Sequence, residues 1–155
     1  RAALLTAKTY LEAASDEMII GTIKSGRPGT AMAAWSGVLD RKQMESIVAY
    51  LRTQTKTQPA KLDESPVKGD GGEGAKLFMR SCVQCHNMRG GYREWGTGIL
   101  RKPFLDSVSN GYLRYMIKNG KTGTAMQAFS SGPLPELTLT DAQVEHVIAF
   151  LRSLP

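Results

Sequence analysis

Apolar residues recur at helical spacing in two well-separated stretches of the 155-residue chain, Ile47, Val48 and Leu51 in one and Val144, Val147, Ile148 and Leu151 in the other. Each stretch opens on a helix-start signal, Asp40 with Gln43 three residues on and Thr140 with Gln143, the pattern of a capping box. Ser15 and Ser109 stand as N-caps of earlier helices, Asp16 and Glu17 suit the positive end of the first of these, and Gly26 and Gly120 mark the stops. A further helix is predicted from about Glu73 into Cys82. No strand-like alternation competes, so the fold class is all-α. From Gln54 to Gly72 the apolar period disappears among Thr55, Thr57, Pro59, Ser65, Pro66 and three glycines, which reads as an exposed linker.

The pattern repeats. Residues 11–36 align without a gap on 105–130 at an offset of 94, with identities at Leu11/Leu105, Ser15/Ser109, Ile23/Ile117, Lys24/Lys118 and Gly26/Gly120. The densest block is Gly29-Thr30-Ala31-Met32 against Gly123-Thr124-Ala125-Met126. After a six-residue insertion the match resumes at an offset of 100, where Gln43, Glu45, Ala49, Leu51 and Arg52 meet Gln143, Glu145, Ala149, Leu151 and Arg152. The chain therefore divides into the C-terminal part of a first domain (1–53), a linker (54–72) and a complete second domain (73–155).

Composition narrows the class without naming a function. With 41% hydrophobic and 22% charged residues the chain is globular in character, and no apolar run reaches the 18 residues a membrane-spanning helix needs. The net charge of +6 is spread over scattered Lys and Arg, with the two Trp not interleaved among them, so nucleic acid is excluded as a partner. A basic face suits an acidic redox partner or anionic headgroups, and plain solubility accounts for the charge equally well.

Chemistry concentrates at Cys82-Val83-Gln84-Cys85-His86, the CxxCH pattern through which a polypeptide holds haem c covalently. On a helical segment the two sulfurs would share one face, and the following imidazole would be offered to iron. Zinc is a poor rival. A structural site takes four Cys or His ligands, whereas the chain has two of each in all and Cys85 and His86 are adjacent. A thioredoxin-like redox pair would need a βαβ setting that the flanks do not offer.

Of seven Met, Met126 is the candidate sixth ligand. It lies 40 residues beyond His86 in a Gly- and Thr-rich loop, and Met32 occupies the matching loop of the first copy. Met79 and Met88 sit too near CxxCH to reach the opposite haem face, Met116 falls within a helix, and His146 pairs with Ser46 in the repeat, which suits a surface role. Subtracting 94 from 82 and 86 puts the first copy's attachment motif at −12 and −8, before Arg1. The expectation is an incomplete first domain whose missing motif serves Met32; the rival is a haem-free copy in which Met32 only packs.

With these residues in view the chain resembles class I c-type cytochromes, and among them the dihaem variants built from two tandem domains. CxxCH at 82–86, a GxxxF-like Gly74 to Phe78, the Met loops and the terminal Tyr50-Leu51-Arg52 and Phe150-Leu151-Arg152 carry the likeness. It implies that Gly74 lets the first helix approach the last near Phe150 with Phe78 packed beside it. It also implies haem c at Cys82 and Cys85, iron held by His86 and Met126, and a second haem near Met32. Phe78, Leu100, Ile117 and Phe129 would wall the haem, and Trp95, Tyr92, Arg93 and Arg101 are candidates for its propionates. The sequence departs from the family where Trp95-Gly96-Thr97-Gly98-Ile99-Leu100 replaces the usual Gly-Pro, so the His86 ring proton would go to a carbonyl near Gly98 or Ile99.

The resemblance implies one-electron transfer by an electron carrier, not an enzyme. Redox proteins would be its partners, in the periplasm or on the exported side of a bacterial membrane. The alternative is a cytochrome subunit docked on a membrane-bound respiratory or photosynthetic complex, its first domain a haem-free interaction module. In either case the apolar face around Ile47, Tyr50 and Leu51 would need a cover.

Overall fold

The computed structural model describes residues 4–86 and 98–155, and these are helical with no strand. The described helices are α1 (Lys8–Ala13), α2 (Asp16–Ser25), α3 (Arg41–Thr55), α4 (Gly71–Ser81), α5 (Lys102–Asp106), α6 (Asn110–Asn119) and α7 (Asp141–Arg152), with a 3-10 turn at Pro135–Leu137. None is long and apolar enough to cross a membrane.

The internal repeat recurs bond for bond. Both α2 and α6 span ten residues, capped by Ser15 Oγ accepting from the Met18 N–H at 3.1 Å and by Ser109 Oγ accepting from the Tyr112 N–H at 3.0 Å. Both stop at a glycine with φ of +64° and +67°, a conformation that carries no penalty only without a Cβ. Full capping boxes open α3 and α7. At the far ends of α3 and α7, Arg52 and Arg152 play one role. Arg52 donates to the carbonyls of Leu11 and Ala14 and to Asp16, and Arg152 to the carbonyls of Leu105 (2.5 Å) and Val108 (2.7 Å) and to Asn110. Each guanidinium thus ties its last helix to the corner before α2 or α6.

The helix that leads into CxxCH lies against the last helix. A Cβ on Gly74 would run into the backbone carbonyl of His146 and stand 2.8 Å from Phe150 Cβ, so only glycine permits this crossing. Phe78, fully buried one turn later, meets Phe150 with ring centroids 5.3 Å apart and planes tilted by 50°. The first half offers no such partner to α3 among the described residues. Ile47 and Tyr50 are 38% and 63% exposed, while their counterparts Val147 and Phe150 are 1% and 9% exposed.

Residues 54–72 depart from the expected exposed linker. α3 continues through Thr55, and α4 begins at Gly71 because the Asp70 side chain accepts the Glu73 N–H at 2.8 Å. The stretch between is pinned along much of its length. Thr57 is buried, Ala60 donates to the Glu12 carbonyl at 2.8 Å, and Glu64 accepts from Ser109 Oγ and the Gly111 N–H at 2.6 and 2.9 Å. Buried Arg114 holds the Asp63 carbonyl at 2.7 Å and pairs with Glu145 at 2.6 Å. Composition reports solvent exposure, which most of these residues retain, but it does not report hydrogen bonds made by their backbone. His146 likewise does more than face solvent: its Nδ1 accepts the Asp70 N–H at 2.8 Å and so helps start α4.

The two copies meet across a seam whose contacts are reciprocal. Lys121 lies 4.9 Å over the Tyr10 ring and Arg27 lies 5.4 Å over the Phe104 ring, and the repeat pairs Arg27 with Lys121 and Tyr10 with Phe104. Burial, then the nearby Arg27 charge, lowers the Lys121 ammonium's hold on its proton. On one side Thr9 and Thr122 exchange hydrogen bonds at 3.3 and 3.0 Å. Their counterparts Pro103 and Pro28, which lack a donor N–H, leave a shallow crevice there.

Gly74→Ala should destabilise the protein by about 1–3 kcal/mol through overpacking at the α4–α7 crossing, read from urea unfolding. The Arg114 hydrogen bond, opposed by burial, holds the Glu145 carboxyl below its usual range, so Glu145 stabilises the fold above its unfolded pKa of about 4.3 and loses that contribution as pH falls through its lowered folded value. Glu145→Gln should therefore lower stability at neutral pH by about 1–3 kcal/mol and flatten the acid limb of a stability–pH profile.

Candidate cofactor site

Cys82 is placed by α4. The helix buries Gly74 and Phe78 against α7, ends at Ser81, and hands its last bond to Cys82, whose N–H donates to the Phe78 carbonyl at 2.9 Å. The helix runs up to the motif as the sequence reading has it, and a turn then carries the chain over residues 82–85. Cys85 and His86 both donate to the Cys82 carbonyl, at 3.1 and 2.8 Å, so one oxygen organises both remaining motif residues. Both cysteines are free and half-buried, and burial, with Cys85 adding, pushes the Cys82 thiol up to about 12. It is held as a neutral thiol.

Met126 sits in a loop whose backbone is fixed on both sides. Its N–H donates to Thr124 Oγ1 at 3.2 Å, its carbonyl accepts the Lys121 N–H at 2.8 Å, and Thr124 Oγ1 in turn donates to the Lys121 carbonyl at 2.7 Å. Met32 has the same bonds, to Thr30 Oγ1 at 3.1 Å and from Arg27 at 2.9 Å. The two differ in cover: Met126 is half-buried against the core, whereas Met32 is 36% exposed.

The other anticipated residues flank one apolar body. Phe78 and Ile117 belong to the buried core, and Cys82, Leu100, Met126 and Phe129 are half-buried against it. Met116 is buried on α6. Trp95 lies outside the described residues, as do Tyr92, Arg93 and Met88. Arg101 donates to the Gly29 carbonyl at 3.4 Å, across the seam. Two thiols not joined in a disulfide, an imidazole next to the second and a thioether on a braced loop are donor types that suit haem c, and the apolar residues around them suit its ring.

Residues 69–151 match the family profile described as Cytochrome C oxidase, cbb3-type, subunit III. The chain belongs to the c-type cytochromes. This cytochrome is also 30% identical over 111 residues to cytochrome c6 of a Synechococcus species, a match covering 70% of this chain and 91% of that protein. Its fold is shared, with a TM-score of 0.58 at 22% identity, by a chain of the reducing HAO-like protein complex of Kuenenia stuttgartiensis, over 90% of this chain and 72% of that one. Membership of this class I family means covalently bound haem c and electron transfer with redox partners.

Several residues that shape this cytochrome's site escaped sequence reasoning. Arg52 and Arg152 were visible as a repeated identity, but nothing in one dimension says that their targets are backbone carbonyls. The strap anchors Glu64 and Arg114 carry no signal, since neither recurs in the first copy. Tyr10 and Lys121 could have been linked only by asking which residues the repeat places across from each other.

Proposed function

We propose that Cys82 and Cys85 bind one haem through thioether bonds, with His86 and Met126 as axial ligands. When bound, haem c supplies a one-electron Fe(III)/Fe(II) couple. The protein's part is to hold, shield and tune it. Phe78, Leu100, Ile117 and Phe129 keep water from the group, and a thioether ligand in an apolar wall favours the reduced state. Trp95 remains a candidate contact of the same group. The observation that carries this reading is the braced Met126 loop, fixed at both its N–H and its carbonyl and packed on the core that Cys82 also borders.

The same bonds around Met32 support a second haem in a tandem arrangement, with 1–53 as part of a first cytochrome domain, 54–72 as its connection and 73–155 as the second. On this reading Met32 ligates the second iron, and a helix like α4, carrying its own CxxCH, covers Ile47 and Tyr50. Two such centres would pass electrons along the chain between redox proteins on the exported side of a bacterial membrane, the periplasm being the natural compartment for attached haem c.

The exposed apolar residues Trp35, Val38, Ile47 and Tyr50 support a second reading, in which the first half is a haem-free module docked on a membrane-bound electron-transfer complex. The structural neighbour's place in a protein complex is compatible with it.

Intact mass and haem count on the native protein separate the two. Two haems are expected; one haem on a mature chain that begins at Arg1 would sink the tandem reading. Met126→Ala should abolish the long-wavelength thioether-to-ferric-iron band and lower the midpoint potential, and an unchanged low-spin spectrum would remove Met126 as a ligand.

A further inference from the structure

Three consecutive residues of the Met126 loop are held by the other half of the chain. Lys121 places its ammonium 4.9 Å over the Tyr10 ring. Thr122 donates its N–H to Thr9 Oγ1 at 3.0 Å and accepts the Thr9 N–H on its own hydroxyl at 3.3 Å. Gly123 lies close to Leu4, whose Cδ2 would be 3.1 Å from a Cβ at that position. The same Lys121 whose side chain crosses the seam gives its backbone N–H to the Met126 carbonyl at 2.8 Å. A continuous path therefore runs from Tyr10 through one lysine to the methionine.

The mirror-related path has the same parts. Arg27 sits 5.4 Å over Phe104 and donates its N–H to the Met32 carbonyl at 2.9 Å, while Arg101 donates to the Gly29 carbonyl at 3.4 Å. Recurrence with changed residues, Lys for Arg and Tyr for Phe, argues that the contact is kept for its geometry rather than as a chance of packing. Tyr10 is only 8% exposed, so its attraction for the ammonium acts with little water between and lies toward the stronger end for such pairs.

We infer that Tyr10 is a positioning residue for Met126, acting through Lys121, so that the first half of the chain sets how firmly the methionine stays on the iron of the second. This rests on Met126 being the axial ligand. Tyr10 touches neither the iron nor the thioether; it restrains the loop that delivers the thioether. A weakened brace therefore opens the methionine side to a competing ligand without altering Cys82, Cys85 or His86.

The test is imidazole titration of the ferric holoprotein, followed by the thioether-to-iron band, in the wild type and in Tyr10→Phe, Tyr10→Leu, Lys121→Met and the double variant Tyr10→Leu/Lys121→Met. Urea unfolding is measured alongside. Tyr10→Phe keeps the ring face and should match the wild type. Tyr10→Leu and Lys121→Met should each tighten imidazole binding by about three- to tenfold, and the double variant should add little to either single change. If Tyr10→Leu fails to fold, Lys121→Met, which keeps the length of the side chain at the other end of the same contact, carries the test. Imidazole affinities within about twofold of wild type in the variants, with the band present in the wild type, overturn this inference and leave Met126 ligation standing. A wild-type spectrum without the band overturns the ligation itself, and the inference with it.

Discussion

The crossing of α4 over α7 at Gly74 is the constraint on which the second half depends. A helix can lie this close to its neighbour only where a side chain is missing, and the missing Cβ brings the His146 carbonyl and Phe150 up against the α4 backbone. Phe78 then falls into the core, and the residue four further on, Cys82, emerges at the edge of that core rather than in solvent. Around the same crossing, His146 Nδ1 takes the Asp70 N–H and Glu145 takes that of Lys68, so α7 also fixes where α4 begins. One partner helix thus holds both the start and the crossing point of the motif-bearing helix.

Nothing comparable rests on α3 among the described residues, and the difference shows in exposure rather than in backbone. α3 has the same capping box as α7 and the same arginine near its end, yet Tyr50 stands open where Phe150 is closed. Local hydrogen bonds thus suffice to form the helix, while burial of its outer face requires a second element. That separation explains how the Met32 loop can keep the bonds of the Met126 loop while its methionine stays more exposed.

Much of this was readable in one dimension. Capping chemistry is local, so Ser15, Ser109, Asp40 and Thr140 could be recognised without knowing the fold, and the glycine stops followed from the same reasoning. The close crossing at Gly74, with Phe78 beside it, was what the resemblance to class I cytochromes implied, and a missing Cβ is its physical reason. The bonds that pin 54–72 were not legible because polar composition describes which side chains meet water and not which carbonyls Arg114 will claim. The helix predicted to run into Cys82 has that residue as its C-cap, and the turn that places Cys85 and His86 on one carbonyl is made without continuing α4. Hydrogen bonds across the seam join residues from 72 to 113 positions apart, and no periodicity encodes them.

The arginine clasps show why the two copies could diverge so far and still superpose their bonds. Arg52 and Arg152 address mainly main-chain oxygens, those of Leu11 and Ala14 and of Leu105 and Val108, and a carbonyl is present whatever side chain its residue carries. Ala14 can therefore become Val108, and Asp16 become Asn110, with the guanidinium fork still filled. At the seam the opposite holds. Thr9 and Thr122 each donate an N–H to the other's hydroxyl, and where the repeat has Pro103 and Pro28 both the N–H donor and the hydroxyl acceptor are gone and a crevice remains. Bonds within each copy are written in the backbone and persist; bonds between copies depend on side chains, and there the two sides of the molecule have become unlike.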